Sequence, residues 1–108
     1  MILLRKVDLT DYDAKVETKD GEITVPYFMK KSLALALYTD ELKLSSRDLL
    51  RNDRIAQKIE GSDGFILLED ADYEVVKQAI ESIHGYNKPD VELVRRVIEA
   101  QVVDVKIA

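Results

Sequence analysis

The sequence predicts an α+β domain of about four helices packed on a small, mainly antiparallel sheet. Three observations carry that prediction. Apolar residues alternate with period two near both ends, as in Val103, Val105 and Ile107 against Asp104 and Lys106. Between the ends they recur with helical spacing, as in Tyr73, Val76, Ala79, Ile80 and Ile83. Turn-forming residues stand at the joins: Asp20-Gly21, Pro26, Gly61 to Gly64, Gly85 and Pro89.

In chain order, Ile2 to Val7 is a branched apolar run suited to a strand. Lys15 to Thr18 and Glu22 to Val25 flank Lys19-Asp20-Gly21, a strong hairpin signal. Pro26 ends that strand and opens a helix over Tyr27 to Tyr38, which reads as apolar on nearly every side. Ser45 or Ser46 caps a second helix running to about Ile59, with Leu49, Ile55, Ala56 and Ile59 on one side and Asp48 in the first turn. Gly61-Ser62-Asp63-Gly64 stops it. Phe65 to Leu68 is either a strand or an extended core-filling segment. Asp70 is the expected N-cap of a third helix, closed by Gly85 in a left-handed conformation. Pro89 opens a fourth helix, and the alternating tail that follows can pair with the N-terminal β segment.

Length and composition bound the rest. A chain of 108 residues reads as a single domain, 1–108, large enough for a core without disulfides or metals. The hydrophobic fraction is 46% and the charged fraction 34%, a globular balance. No cysteine is present, which fits a reducing interior and rules out a disulfide framework. Leu33 to Tyr38 is too short to span a bilayer, and Met1 to Val7 has the charge order of a signal peptide reversed. The expected location is the cytoplasm, with no membrane contact. A net charge of −5 argues against an electrostatic grip on nucleic acid by the molecule as a whole.

No catalytic constellation is readable, and no cofactor or metal is expected. The sequence holds no Gly-rich phosphate loop, nucleophile elbow or paired metal-ligand motif. The single histidine, His84, has no second histidine or nearby nucleophile and reads as a helix-end residue. The acidic residues from Asp8 to Glu22 fail the calcium-loop pattern, since Val16 stands where glycine is required. Glu69, Asp70, Asp72 and Glu74 straddle a helix start, where carboxylates serve capping and dipole roles.

Two features point to binding. Arg47, Arg51, Arg54 and Lys58 share one helix face about 16 Å long, able to meet phosphates or an acidic partner. The bland alternative is a solvated face with Asp48 and Asp53 as local partners. The apolar Phe28–Leu37 helix serves either a monomer core alone or a core plus an oligomer interface; the expected homo-oligomer is held by that helix, at Leu35, or by the Val102–Ile107 tail, at Val103, Val105 and Ile107.

The stretches DGEITVPYFMKKSLALALYTDE, KLSSRDLLRNDRIAQKI and FILLEDADYEVVKQAIES, in that order, resemble a group of small acidic proteins encoded by tailed bacteriophages and prophages. The C-terminal VVDVKIA departs from their pattern. That group has no agreed catalytic or binding residues, so the resemblance transfers no site. It implies a phage or prophage accessory protein and nothing more; with the binding features above, the expected role is protein–protein contact, as a regulator or modulator of a host or phage machine whose identity the sequence does not name. The alternatives are a virion-assembly component acting as a symmetric oligomer and a weakly nucleic-acid-associated protein.

Overall fold

Runs that alternate apolar and polar residues can bury one face only, and pairing such runs builds sheets. In the computed structural model, which describes residues 2–105, five strands form. β1 (Ile2–Asp8) becomes the centre of a three-stranded antiparallel sheet. β2 (Tyr12–Thr18) and β3 (Gly21–Tyr27) make a separate two-stranded ribbon. Its turn is Lys19-Asp20, and Gly21 follows at φ 115°, a conformation an L side chain rarely adopts. The Thr18 hydroxyl donates to the Gly21 carbonyl at 2.6 Å and locks the turn. The expected single sheet is therefore two.

Pro26 does not end β3; the strand runs through it to Tyr27. β3 pairs with β2 alone, so a residue without an N–H is tolerated at its free edge. The first helix is correspondingly short. α1 spans Met29–Ala36, and the Asp11 carboxylate accepts a hydrogen bond from the Met29 N–H at 3.0 Å. It is not apolar all round. Met29, Leu33 and Ala34 are buried, while Lys31 and Leu35 point to solvent.

A short 3₁₀ turn (Asp40–Leu42) leads to α2 (Ser46–Glu60). Ser45 is its N-cap, accepting from the Asp48 N–H at 3.2 Å. Ile55, Ala56 and Ile59 enter the core, but Leu49 is 44% exposed and leaves the expected stripe. Asn52 is buried instead, and its amide donates to the Leu37 carbonyl at 2.8 Å. That bond satisfies a carbonyl just past the end of α1, where helical partners run out.

After Gly61, the segment Phe65–Leu68 resolves as a strand, β4, antiparallel to β1. α3 (Asp70–Ser82) follows. Its N-cap is Glu69 rather than Asp70, and no side chain caps it, so Asp70 and Asp72 in the first turn act through the helix dipole, Asp72 also pairing with Lys58. Ile83 is already extended, which places Gly85 (φ 89°) in the connection beyond the helix-closing position. Pro89 sits in a 3₁₀ turn (Lys88–Asp90) that runs into α4 (Val91–Ile98). β5 (Gln101–Val105) then pairs antiparallel with the other side of β1, as the alternating tail predicted.

The resulting strand order is β4-β1-β5. Val7, Ile66 and Leu68 turn their side chains towards the helices and are buried with Val76, Ile80 and Val97. Arg5 shares this inner face; its guanidinium lies 4.8 Å from the centre of the Tyr73 ring and donates to the Ala100 carbonyl at 3.2 Å. Tyr73 donates in turn to the Val97 carbonyl at 2.7 Å, tying α3 to α4. The principal extents of 54 × 35 × 21 Å describe an elongated molecule.

Candidate interaction surfaces

Strand alternation decides what the three-stranded sheet shows to solvent. With Arg5 and Val7 facing the helices, Ile2, Leu4 and Lys6 of β1 face away. The register places Leu4 opposite Val103 and Ile2 opposite Val105 on the same outer face, with Leu67 opposite Lys6 from the other side. Every one of these residues is exposed or half-buried. At the β1–β5 end even the inner face is wet, since Leu3 is 53% and Val102 50% exposed. Six apolar side chains therefore crowd a projecting sheet end: Ile2, Leu3, Leu4, Val102, Val103 and Val105. The far edge of β5 has no strand beside it among the described residues.

The structure thus brings Val103 and Val105 together, and separates them from Leu35. Leu35 lines a different cleft of about 290 Å³, with Tyr27, Ile80, Ile83 and Tyr86. The two alternative oligomer contacts, the α1 face at Leu35 and the tail, are therefore different surfaces. Ile107 lies outside the described residues.

A second surface is the outward side of α2. Arg47, Arg51, Arg54 and Lys58 are all exposed along it, as their spacing requires. Arg51 meets Asp48 at 3.6 Å and Lys58 meets Asp72 at 3.5 Å, both in solvent. Asp53 does not serve the row: it accepts from the Tyr38 hydroxyl and from Gln57. That bond and the carboxylate's charge push the Tyr38 phenol up to about 12. Arg47 and Arg54 make no ion pair among the described residues. Leu50, 66% exposed, sits amid the row, three residues after Arg47 and four before Arg54. On the other flank of α2, Tyr38, Thr39, Asp40, Lys43, Leu44 and Leu49 line a cleft of about 470 Å³.

The third surface is the β2–β3 arm. Tyr12 and Tyr27 pair across it, their rings stacked at 4.7 Å. Tyr12 donates to the Pro89 carbonyl at 2.8 Å and accepts from the Leu93 N–H at 3.2 Å, while Tyr27 donates to Asp90 at 2.7 Å. Burial, the bond to Asp90 and that carboxylate's charge all push the Tyr27 phenol above its ordinary value. The Arg96 guanidinium lies 5.0 Å from the centre of the Tyr12 ring. These contacts anchor the base of the arm. Towards its tip, Ile23 is 49% exposed on the same face as Tyr27. Next to the base, Tyr86, Val91, Val94 and Ile98 line an apolar cleft of about 360 Å³.

The chain matches no protein-family model, no curated protein and no solved structure. Functional reasoning therefore rests on these surfaces. His84 is exposed in the connection after α3. Among the described residues, no three His, Asp or Glu side chains are grouped to hold a metal ion, and no helix is long and apolar enough to cross a membrane.

The tyrosine latch and the exposed leucines of α2 escape a reading based on periodicity. The hairpin signal alone does not give the latch: with Asp20-Gly21 as the loop residues Tyr12 would face Met29, and only the observed Lys19-Asp20 loop brings Tyr12 opposite Tyr27. Leu49 and Leu50 carried no signal either, because adjacent leucines do not say which of them a helix buries.

Proposed function

We propose that the protein works by protein–protein contact rather than catalysis, as an accessory factor that self-associates through the β1–β5 end of its sheet. The observation that carries this reading is the joint exposure of apolar side chains on both faces of that end, beside an unpaired strand edge. In this reading β5 pairs antiparallel with β5 of a second copy about a twofold axis through Val103. Val103 then faces its own counterpart, and Asp104 faces Val102 rather than another acid. The outer faces of the two sheets become continuous. Each large apolar side chain fully buried there contributes roughly 1.5–3 kcal/mol, against which the cost of association must be set.

The phage or prophage setting, and with it a host-cytoplasmic location, rests on the resemblance of sequence pattern alone. Sedimentation velocity at micromolar concentration tests the self-association. The unmodified protein should run as a dimer, and Leu4→Asp and Val103→Asp should run as monomers. A monomeric unmodified protein would end this reading.

A second reading, a virion-assembly component built as a larger symmetric oligomer, is favoured by the arm. Its exposed Ile23 and the cleft at Val91, Val94 and Ile98 are two unlike apolar surfaces on one chain. A head-to-tail contact between them generates rings or filaments. Light scattering that gives a ring-sized particle, dispersed by Ile23→Asp, would favour this reading over the dimer.

A further inference from the structure

Strands that read as unbroken apolar runs are normally covered on both faces. Ile2-Leu3-Leu4, Phe65-Ile66-Leu67-Leu68 and Val102-Val103 are such runs, one in each strand of the β4-β1-β5 sheet. The helices cover one face only. The core takes Val7, Ile66 and Leu68 from the inner face and, among the described residues, no side chain from the outer one. Alternation and register put Ile2, Leu4, Phe65, Leu67, Val103 and Val105 on that outer face. Leu4 and Leu67 are only half-buried there, and Phe65 is 46% exposed. Lys6, Asp8 and Gln101 complete the face, which makes nine residues. Lys6 lies over Phe65, its ammonium 4.7 Å from the ring centre, so its stem adds to the apolar cover.

Size and charge select the occupant. A standard interface uses about 20–30 residues a side, and nine fall far short of that. Two copies joined at β5 present eighteen such residues on one continuous face. Six strands at about 4.8 Å each make that face roughly 29 Å wide. A partner helix, about 10–12 Å across, would leave most of the width bare. A second sheet of the same kind covers it, packed about 10 Å away with its strands turned by about 30°. Of the nine residues Lys6 and Asp8 alone are charged, one of each sign. A partner of strong charge therefore finds no matching excess on this face. Two outer faces meet without net charge, although each copy carries −5 overall. A twofold axis between them repeats every contact, so Lys6 of one copy and Asp8 of the other complement each other reciprocally.

We infer that the outer face of the β4-β1-β5 sheet is a second self-association surface, on which two edge-joined pairs stack as a four-copy sandwich. This rests on the reading in which β5 pairs with β5 of a second copy. It uses different residues, since Phe65 and Leu67 belong to β4, the strand farthest from that edge. Stacking follows edge pairing, because a single face is too small to hold.

The test is sedimentation equilibrium of the full chain from micromolar to millimolar concentration. The unmodified protein should pass from dimer to tetramer, and added salt should favour the tetramer by screening like-charged copies. Leu67→Lys and Phe65→Ser should stop at the dimer, with unchanged circular dichroism. Gln78→Lys, which adds the same charge on exposed α3 surface, should form tetramers as the parent does. Val102→Asp sets an acid opposite Asp104 in the β5–β5 contact without touching the outer face, and should give monomers throughout. A parent that stays dimeric would overturn the stacking and leave the β5 pairing standing, as would full tetramer formation by both Leu67→Lys and Phe65→Ser. A parent monomeric at every concentration would end both. Tetramers persisting in Val102→Asp would overturn the arrangement of two six-stranded sheets.

Discussion

Asn52 shows at the scale of one residue how this fold uses a polar group in its core. Its amide holds the Leu37 carbonyl at 2.8 Å, and its own carbonyl accepts from Arg51 at 3.2 Å. Burying an amide without partners is costly; with both partners it fixes where α1 stops relative to α2. Asn52→Ala removes the donor and leaves the Leu37 carbonyl buried and unsatisfied. The expected loss is about 1–3 kcal/mol, read as a lower urea midpoint with an unchanged slope. Restoring bulk with Asn52→Leu should not recover it, because the missing element is a donor and not volume. Full recovery by leucine would mean that Asn52 fills space and nothing more. Arg51 should also become more mobile in both variants, so the same residue links the core to the basic row.

Elements in this chain are held by contacts of unequal kind, and the arm depends on few of them. The pair Tyr12 and Tyr27 anchors it to the 3₁₀ turn and α4 through protonated phenols. Tyr27 donates to Asp90, so the bond exists only while the phenol keeps its proton. Its folded pKa is raised above the ordinary 10.0 by burial first, then by the Asp90 hydrogen bond and charge. The stabilisation is therefore complete below pH 10.0 and disappears as the pH rises through the folded value. Titrated alkaline, the near-ultraviolet circular dichroism of the stacked pair should collapse in step with a late tyrosinate absorbance change, and Tyr27→Phe should abolish that step. Ionisation of Tyr27 with no change in the dichroism would detach the hydrogen bond from the arm's anchorage. Elements built on local signals were legible in the sequence: the Asp-Gly hairpin, the Ser45 cap, the stop after Ile59 and the alternating tail that pairs with β1. Those decided by long-range geometry were not. Pro26 reads as a breaker until β3 is known to have a free edge, and Tyr27 to Tyr38 reads as one apolar helix until its first residue joins a strand. Of the candidate site, the arginine spacing was plain, while the exposure of Leu49 and Leu50 depended on how α1 packs against α2.

For the whole molecule the decisive quantity is how much apolar surface is left over once the core is made. Leu33, Leu37, Ile59, Leu68, Val76 and Val97 are fully or almost fully buried, so the core itself is closed. What remains exposed is concentrated at the sheet end, on α2 and around the arm and α4. Surface of that kind on a 108-residue chain couples stability to association, because a contact made only by the folded state adds to its free energy as protein concentration rises. If the sheet end self-associates, the thermal midpoint of the unmodified protein should climb with concentration. That of Val103→Asp should stay flat and match the dilute limit. Leu35→Asp gives the opposing control: Leu35 is 58% exposed, but it sits in the cleft between α1 and the end of α3, so its midpoint should keep the concentration dependence of the parent. Added salt should strengthen the association modestly, since two copies carrying −5 each repel at long range and the apolar contact does not depend on charge. A midpoint independent of concentration in the parent would place the apolar sheet end in some other contact, and equal loss of the dependence in both variants would move the interface towards α1.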